Sequence, residues 1–186
     1  GGAREVARHI SERVFKYPEP FGVANEFFLI GGQKMSSSKG SGMSAKDIVE
    51  LVPPKIFRLA LWGKDINQQI NFDPEGVTIP VLYDQYDKLA EQYKTIKDDD
   101  YARLFEFVHP ARALPEAGFL MRFSQVAFVV QMPHMDLHKE AQVLKGSALT
   151  GAEKEELDER ARYAKEWLAK YAPEKYVFKL QETLPD

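Results

Sequence analysis

Apolar and polar residues follow changing periods along this chain, and the first half of the pattern predicts a small unit of mixed strands and helices. A short apolar, aromatic run bounded by glycines is typical of a buried strand, and spacings of three and four residues indicate amphipathic helices. In chain order we predict a strand at 26–32, helices at 44–52 and 54–62, a strand at 70–72 and a helix at 79–93. The order is strand, helix, helix, strand, helix.

The second half of the pattern predicts a helical bundle. Helices are expected at 101–108, 116–132, 136–145 and 152–171. The helix at 116–132 is apolar nearly all round, so we expect it to be the central buried helix. The last helix places apolar residues on one face and pairs of Glu with Lys or Arg on the other. A strand-like segment at 176–180 follows it.

The first residues predict an amphipathic helix with nothing before it to pack on. Val6, Ile10, Val14 and Phe15 form its apolar stripe, and the chain starts at Gly1 rather than at a methionine. We therefore expect the chain to be a piece of a longer protein.

Composition limits the chemistry that this chain can carry. Its 186 residues are 44% hydrophobic, which is typical of a globular protein with a real core. The absence of cysteine excludes disulfide partners, cysteine-based zinc sites and thiol chemistry. The longest apolar stretch, 119–132, is too short to cross a bilayer. The formal net charge is -3, so any contact with RNA must use a local basic surface.

The most informative polar segment, Lys34–Gly40, lies between the first predicted strand and the helix that Ser44 opens. It reads KMSSSKG and combines two ammonium groups with three hydroxyls. These groups, on a flexible backbone, are suited to holding and releasing a polyphosphate. Composition alone favours a solvated surface loop.

The exact string points beyond a surface loop, because it resembles the KMSKS signature of class I aminoacyl-tRNA synthetases. The form KMSSSKG resembles in particular the class I lysyl-tRNA synthetases of archaea and some bacteria. Further blocks look like those of the lysyl enzymes, in the same order: Gly1–Arg4, Pro54–Arg58, Asn71–Pro74, Leu82–Asp87 and Ala164–Pro173. The resemblance therefore covers effectively the whole chain.

This resemblance implies an α+β fold that is mostly α. Residues 1–21 would end the nucleotide-binding catalytic domain, 22–97 would form a β-α-α-β-α stem-contact fold carrying the loop, and 98–186 would form a helical bundle leading towards an anticodon-binding region. The companion HIGH motif of this class is missing, since His9–Glu12 matches only its first two letters. We therefore expect the fragment alone to be inactive.

The resemblance also implies a cytoplasmic enzyme that activates lysine with ATP, accompanied by Mg²⁺, and transfers it to tRNA(Lys). The catalytic residues would be Lys34, Ser37 and Lys39. Ser37 stands where the signature usually has lysine, so we expect Lys39 to supply the second charge and Lys34 to be more structural. The implied contacts with the ATP phosphates come from the whole segment: Lys34, Met35, Ser36, Ser37, Ser38 and Lys39.

Other polar groups allow weaker interpretations. Arg58 is either a phosphate contact with tRNA or half of a structural ion pair. His134 and His138 have the spacing of two metal ligands on a helix, but a helix start at Asp136 with exposed histidines is the favoured interpretation, and we infer no metal site. Asp98–Asp100 could bind a cation, although a solvated turn is favoured.

Three alternatives to the lysyl enzyme stay open. Another class I synthetase, of the glutamyl type, would share the signature loop. A nucleotidyltransferase outside the synthetases would share the strand, loop and helix but would not need the bundle. A non-catalytic module would bind tRNA without taking part in adenylate formation. An HIGH motif upstream of Gly1 would distinguish a synthetase from the last two.

Overall fold

The computed structural model describes residues 2–19, 21–24, 26–34, 43–109 and 118–178. The helices and strands are α1 (Gly2–His9), β1 (Phe28–Ile30), β2 (Gln33–Lys34), α2 (Ala45–Leu51), α3 (Pro54–Trp62), β3 (Ile70–Phe72), α4 (Thr78–Thr95), α5 (Asp100–Val108), α6 (Phe123–Val129), α7 (Leu137–Lys145) and α8 (Gly151–Lys170). A π-helical turn, Ile10–Val14, follows α1, and a 3-10 turn, Glu174–Tyr176, follows α8. The predicted α+β, mostly helical fold is confirmed.

The predicted strand at 26–32 is in fact the first arm of a hairpin. β1 pairs antiparallel with β2 and parallel with β3, so the sheet order is β2-β1-β3. Gly31 and Gly32 form the two-residue turn with φ of 54° and 75°, a conformation that favours glycine. The β-α-α-β-α order is otherwise as predicted. The sequence pattern did not predict β2, because this strand is only two residues long.

Four helix starts agree closely with the sequence, because polar side chains cap them. The N-caps are Ser44 for α2, Asp99 for α5, Asp136 for α7 and Thr150 for α8, and each accepts a bond from a backbone N–H three residues on. At the other end of α7, Gly146 adopts a left-handed conformation with φ of 75°.

The predicted central helix at 116–132 is wrong, because only Phe123–Val129 is helical among its described residues. Residues 118–122 are not helical, and their backbone groups bind α8 instead. The N–H of Phe119 donates to Glu153 Oε1 at 3.0 Å, and the carbonyl of Met121 accepts from Arg160 at 2.9 Å. These tertiary bonds replace the bonds of a helix. The start of the predicted helix, at 116–117, lies outside the described residues.

The strand predicted at 176–180 is also wrong in its described part. Tyr176 ends the 3-10 turn, and the N–H of Phe178 donates to the side chain of Gln131 at 2.8 Å rather than to a neighbouring strand. Residues 179–180 lie outside the described part of the chain.

The two halves of the chain share one apolar core. Tyr83 of α4 stacks on Phe123 of α6 with ring centroids 4.2 Å apart, and Trp167 of α8 packs on the same Phe123. The indole of Trp167 also donates to the carbonyl of Pro74 at 3.0 Å. Because one core cluster spans both segments, the division between 22–97 and 98–186 stays a prediction.

The charged face predicted for the last helix is partly buried. Arg160 is fully buried and donates to both oxygens of Asp87 on α4 and to Glu156 one turn earlier. Lys55 of α3 reaches the same Glu156 at 2.5 Å. Burial raises the pKa of the Asp87 carboxyl, against the opposing effect of Arg160. We call Lys55, Asp87, Glu156 and Arg160 the ionic cluster.

The first helix is as isolated as its sequence predicts. None of the residues of α1 or of the π-helical turn is buried within the described structure. The side chains of Val6 and Phe15 are 58% and 73% exposed. The apolar stripe of the first helix is therefore not covered by any of the described residues.

Candidate functional site

The predicted polyphosphate segment begins at a described residue and continues outside the described part of the chain. Lys34 ends β2 and is exposed, whereas Met35, Ser36, Ser37, Ser38 and Lys39 lie outside the described residues. The ammonium of Lys34 lies 3.8 Å from the centroid of the Phe27 ring, a cation–π contact. The role of Lys34 stays a prediction.

The far end of the segment meets the start of α2. Met43 is buried, and Ser44 and Asp47 form a capping box in which the Ser44 N–H donates to Asp47 at 2.8 Å. The hydrogen bonds from Ser44 lower the pKa of the Asp47 carboxyl. The segment from 35 to 42 therefore joins two ordered supports, the end of β2 and the start of α2.

The hairpin is seated on a cluster of three aromatic rings. Phe28 of β1, Phe57 of α3 and Phe72 of β3 have ring centroids 5.9 to 6.5 Å apart. Phe72 is fully buried. These contacts join the first strand of the hairpin to the core, but none of them involves β2.

The hairpin turn is bound to β3, a contact that sequence reasoning missed. The Gly31 N–H donates to the carbonyl of Phe72 at 3.1 Å, and the Gly32 N–H donates to Asn71 Oδ1 at 2.8 Å. The sequence offered only a weak signal here, an asparagine in a block that resembles the lysyl enzymes.

A groove of about 760 Å³ runs between α3, β3, α4 and α5. Leu59, Phe72 and Leu82 are among its apolar lining residues, and none of the described residues that line it is an aspartate or a glutamate. Lys64 and Lys88 are its positively charged lining residues. The sequence did not predict this groove, because its walls come from four elements that are separated along the chain.

Arg58 lies in α3, partly buried, with its guanidinium carbon 5.5 Å from the centroid of the Trp62 ring. Its partner among the described residues is thus an aromatic ring rather than a carboxylate. The indole of Trp62 is 50% exposed and meets Phe107 edge-on. The contact of Arg58 with tRNA stays a prediction.

The two histidines do not form the pair on one helix face that their spacing allowed. His134 lies before α7, which begins only at Leu137, and His138 pairs with Asp158 at 2.7 Å. Asp136 caps the helix, as the favoured interpretation predicted. Within the described ranges, no three His, Asp or Glu side chains are grouped as metal ligands.

The acidic turn before α5 also has a local structural use. Asp99 caps the helix by accepting the Ala102 N–H at 2.6 Å, and Asp98 and Asp100 lie 3.7 Å from Arg103. This agrees with the solvated turn that the sequence favoured.

None of the helices in the described part of the chain is both long and apolar enough to cross a membrane.

Comparison with known protein families places this chain in the class I tRNA synthetases. The model of one family in that class, described as tRNA synthetases class I (K), matches residues 1–111. The chain belongs to this family, the lysyl type of class I synthetase.

Individual relatives agree over the whole chain. It is 30% identical over 203 residues to the lysine–tRNA ligase of Thermococcus kodakarensis, covering 100% of this chain and 38% of that protein. The ligase of Pyrococcus horikoshii is 30% identical over 201 residues with the same coverage. That of Methanosarcina barkeri (strain Fusaro) is 27% identical over 187 residues, covering 100% of this chain and 34% of its own. The chain thus spans little more than a third of these relatives.

Proposed function

We propose that this chain is part of a lysine–tRNA ligase, and that its KMSSSKG segment stabilises the pyrophosphate that leaves when lysine is activated. The family match and the relatives named lysine–tRNA ligase support the class of reaction. The single structural observation that carries the proposal is the position of Lys34, at the exposed end of a hairpin seated on the core.

The proposed reaction has two steps. A carboxylate oxygen of lysine attacks the α-phosphorus of ATP, the bond from that phosphorus to the bridging oxygen breaks, and pyrophosphate leaves with the electron pair. A hydroxyl at the 3′ end of tRNA(Lys) then attacks the carbonyl of lysyl-adenylate, and AMP leaves. No side chain of this chain acts as a nucleophile.

The segment contributes charge and hydrogen bonds to the first step. Negative charge accumulates on pyrophosphate in the transition state, so cations and donors placed beside it lower the barrier, by about 3 to 4 kcal/mol for one good donor. Lys39 supplies the charge nearest the phosphates in this proposal, and the hydroxyls of Ser36, Ser37 and Ser38 donate to them. Lys34 instead stays against Phe27 and holds the start of the segment. Mg²⁺ accompanies ATP, and we assign it no ligand from this chain.

Pyrophosphate exchange by the full-length enzyme tests this proposal. Lys39→Ala should lower lysine-dependent ATP–pyrophosphate exchange by about 10- to 100-fold with little change in KM for lysine, because only the transition state loses an interaction. A matched control is Lys46→Ala, which removes an exposed lysine of α2 that pairs loosely with Glu50 at 3.8 Å.

The outcomes separate the alternatives. An unchanged exchange rate in the Lys39 variant would reject the proposed role of the segment. Exchange supported by glutamate and not by lysine would indicate a synthetase of the glutamyl type. Absence of exchange with any amino acid, together with binding of tRNA, would indicate a non-catalytic module.

A further inference from the structure

We infer that Asn71 is a positioning residue for adenylate formation, because its side chain fixes the hairpin from which the KMSSSKG segment starts. The inference rests on the proposed function and adds a residue that lies far from the signature in sequence. Asn71 Oδ1 accepts the Gly32 N–H at 2.8 Å, across 39 positions of the chain.

The hairpin has few other bonds that could fix β2. In the described part of the hairpin, two residue pairs join its strands, Leu29 with Lys34 and Ile30 with Gln33, and Lys34 also lies over the Phe27 ring. β2 is the edge strand of the sheet, and both of its residues are exposed. A two-residue strand is marginal by itself, so one additional bond at the turn is a large share of what orients Lys34.

The acceptor is itself held rigidly by the strand on which it lies. Asn71 pairs with Leu29 in the parallel ladder between β1 and β3, and the next residue, Phe72, is fully buried. The backbone of Phe72 accepts the Gly31 N–H, so adjacent turn residues are bound by adjacent residues of β3. Asn71 thus connects the core to the turn, and the turn determines where β2 lies at the edge of the sheet.

The contact acts on the reaction through geometry, since Asn71 binds the hairpin turn and is assigned no contact with a substrate. A displaced start of the segment misplaces the charges that meet pyrophosphate, and catalytic groups lose effect with displacements of about 1 Å. The cost should therefore fall on kcat for activation rather than on lysine binding.

Three variants of the full-length enzyme test the inference by lysine-dependent pyrophosphate exchange. Asn71→Ala removes the acceptor and should lower kcat about tenfold, the equivalent of one lost hydrogen bond. Asn71→Asp keeps an acceptor oxygen and should stay within about twofold of wild type. Asn67→Ala is the matched control: Asn67 is an exposed asparagine four positions earlier that donates to Asp65 rather than to the hairpin.

KM for lysine and the melting temperature should be unchanged in all three variants. A kcat for Asn71→Ala within twofold of wild type would overturn the inference. So would an Asp variant as impaired as the Ala variant, or an equal loss in the Asn67 control.

Hydrogen–deuterium exchange provides a readout that does not depend on activity. Residues 31–34 should exchange faster in Asn71→Ala than in wild type, with no change in α4. Unchanged exchange at residues 31–34 would show that Asn71 does not hold the turn. If the hairpin exchanges faster in Asn71→Ala but the wild-type enzyme has no lysine-dependent activity, the proposed function fails and the anchoring contact stands.

Discussion

Two helices of this chain begin with the same local device in different surroundings. α2 opens with Ser44 and Asp47, and α8 opens with Thr150 and Glu153. In both, the N-cap hydroxyl accepts the backbone N–H three residues on, and the acidic side chain there accepts the N-cap N–H. The sequence pattern of a capping box is the same at both sites.

What differs is the number of further partners. Asp47 is exposed, and within the described structure its side chain is hydrogen-bonded to Ser44. Glu153 is 4% exposed, and it also accepts from Lys145 Nζ at 2.6 Å and from the Phe119 N–H at 3.0 Å. One capping box is thus a local bond, and the other also holds the 118–122 segment and α7 in place.

Among the described residues, the capping box beside the segment that we propose binds polyphosphate has fewer polar partners than the capping box of α8. α8 continues into the ionic cluster, whereas α2 begins where the segment from 35 to 42 ends. Regions that bind and release ligands belong to the less stable parts of a fold. The same capping-box motif therefore has different numbers of polar partners in its two environments.

The largest expected effect comes from breaking the ionic cluster on the α8 side. Arg160→Met leaves Asp87 buried without its cation, and removing one partner of a buried pair costs about 3–5 kcal/mol. The free energy of unfolding, measured by urea denaturation, should fall by that amount.

Arg162→Met is the control for this prediction, because Arg162 is exposed on the same helix and lies over the Tyr163 ring. It should change the free energy of unfolding by less than about 0.5 kcal/mol. If Arg160→Met lowers the free energy of unfolding by less than about 1 kcal/mol, the polar contacts of α8 are not the more stabilising ones.

A smaller effect is expected from neutralising the buried capping box. Glu153→Gln loses the charge-assisted bond to Lys145 and should cost about 1–2 kcal/mol at neutral pH. Asp47→Asn, the same change in the exposed box, should cost less. Equal losses in the two variants would contradict the difference that we draw between them.

The pH dependence of the Glu153 variant sharpens this result. The bond with Lys145, followed by the Thr150 N–H, lowers the pKa of the Glu153 carboxyl from its ordinary value of 4.5. Because the folded pKa is the lower one, the stabilisation is full above pH 4.5 and is lost as the pH falls through the folded pKa. The difference in unfolding free energy between wild type and Glu153→Gln should therefore shrink on acidification, and a difference that grows would reject this origin.

The smallest effect is expected at the start of α2. Ser44→Ala removes an exposed N-cap and should cost about 0.5–1 kcal/mol. Thr150→Ala, at the start of α8, should cost more, because the same cap fixes a carboxylate with other partners. Thermal unfolding of the two variants measures the difference, and a larger loss in Ser44→Ala would reverse the comparison.

Local sequence was enough to predict the starts of four helices and the family. Ser44, Asp99, Asp136 and Thr150 cap their helices through bonds that span only three residues, so local sequence is enough to encode them. The KMSSSKG string is likewise contiguous, and it identified the lysyl type of class I synthetase before any fold was known.

The long-range contacts of this chain became visible only in the tertiary structure. Residues 118–122 are apolar enough for a helix, but Glu153 and Arg160 on α8 take their backbone groups. The same Arg160 looks like a surface charge in sequence and is buried because Asp87, 73 positions away, meets it. Asn71 binds the turn of the hairpin across 39 positions of the chain. Each of these contacts depends on which elements the fold brings together. A pattern of neighbouring residues does not predict contacts between residues that are distant in the chain.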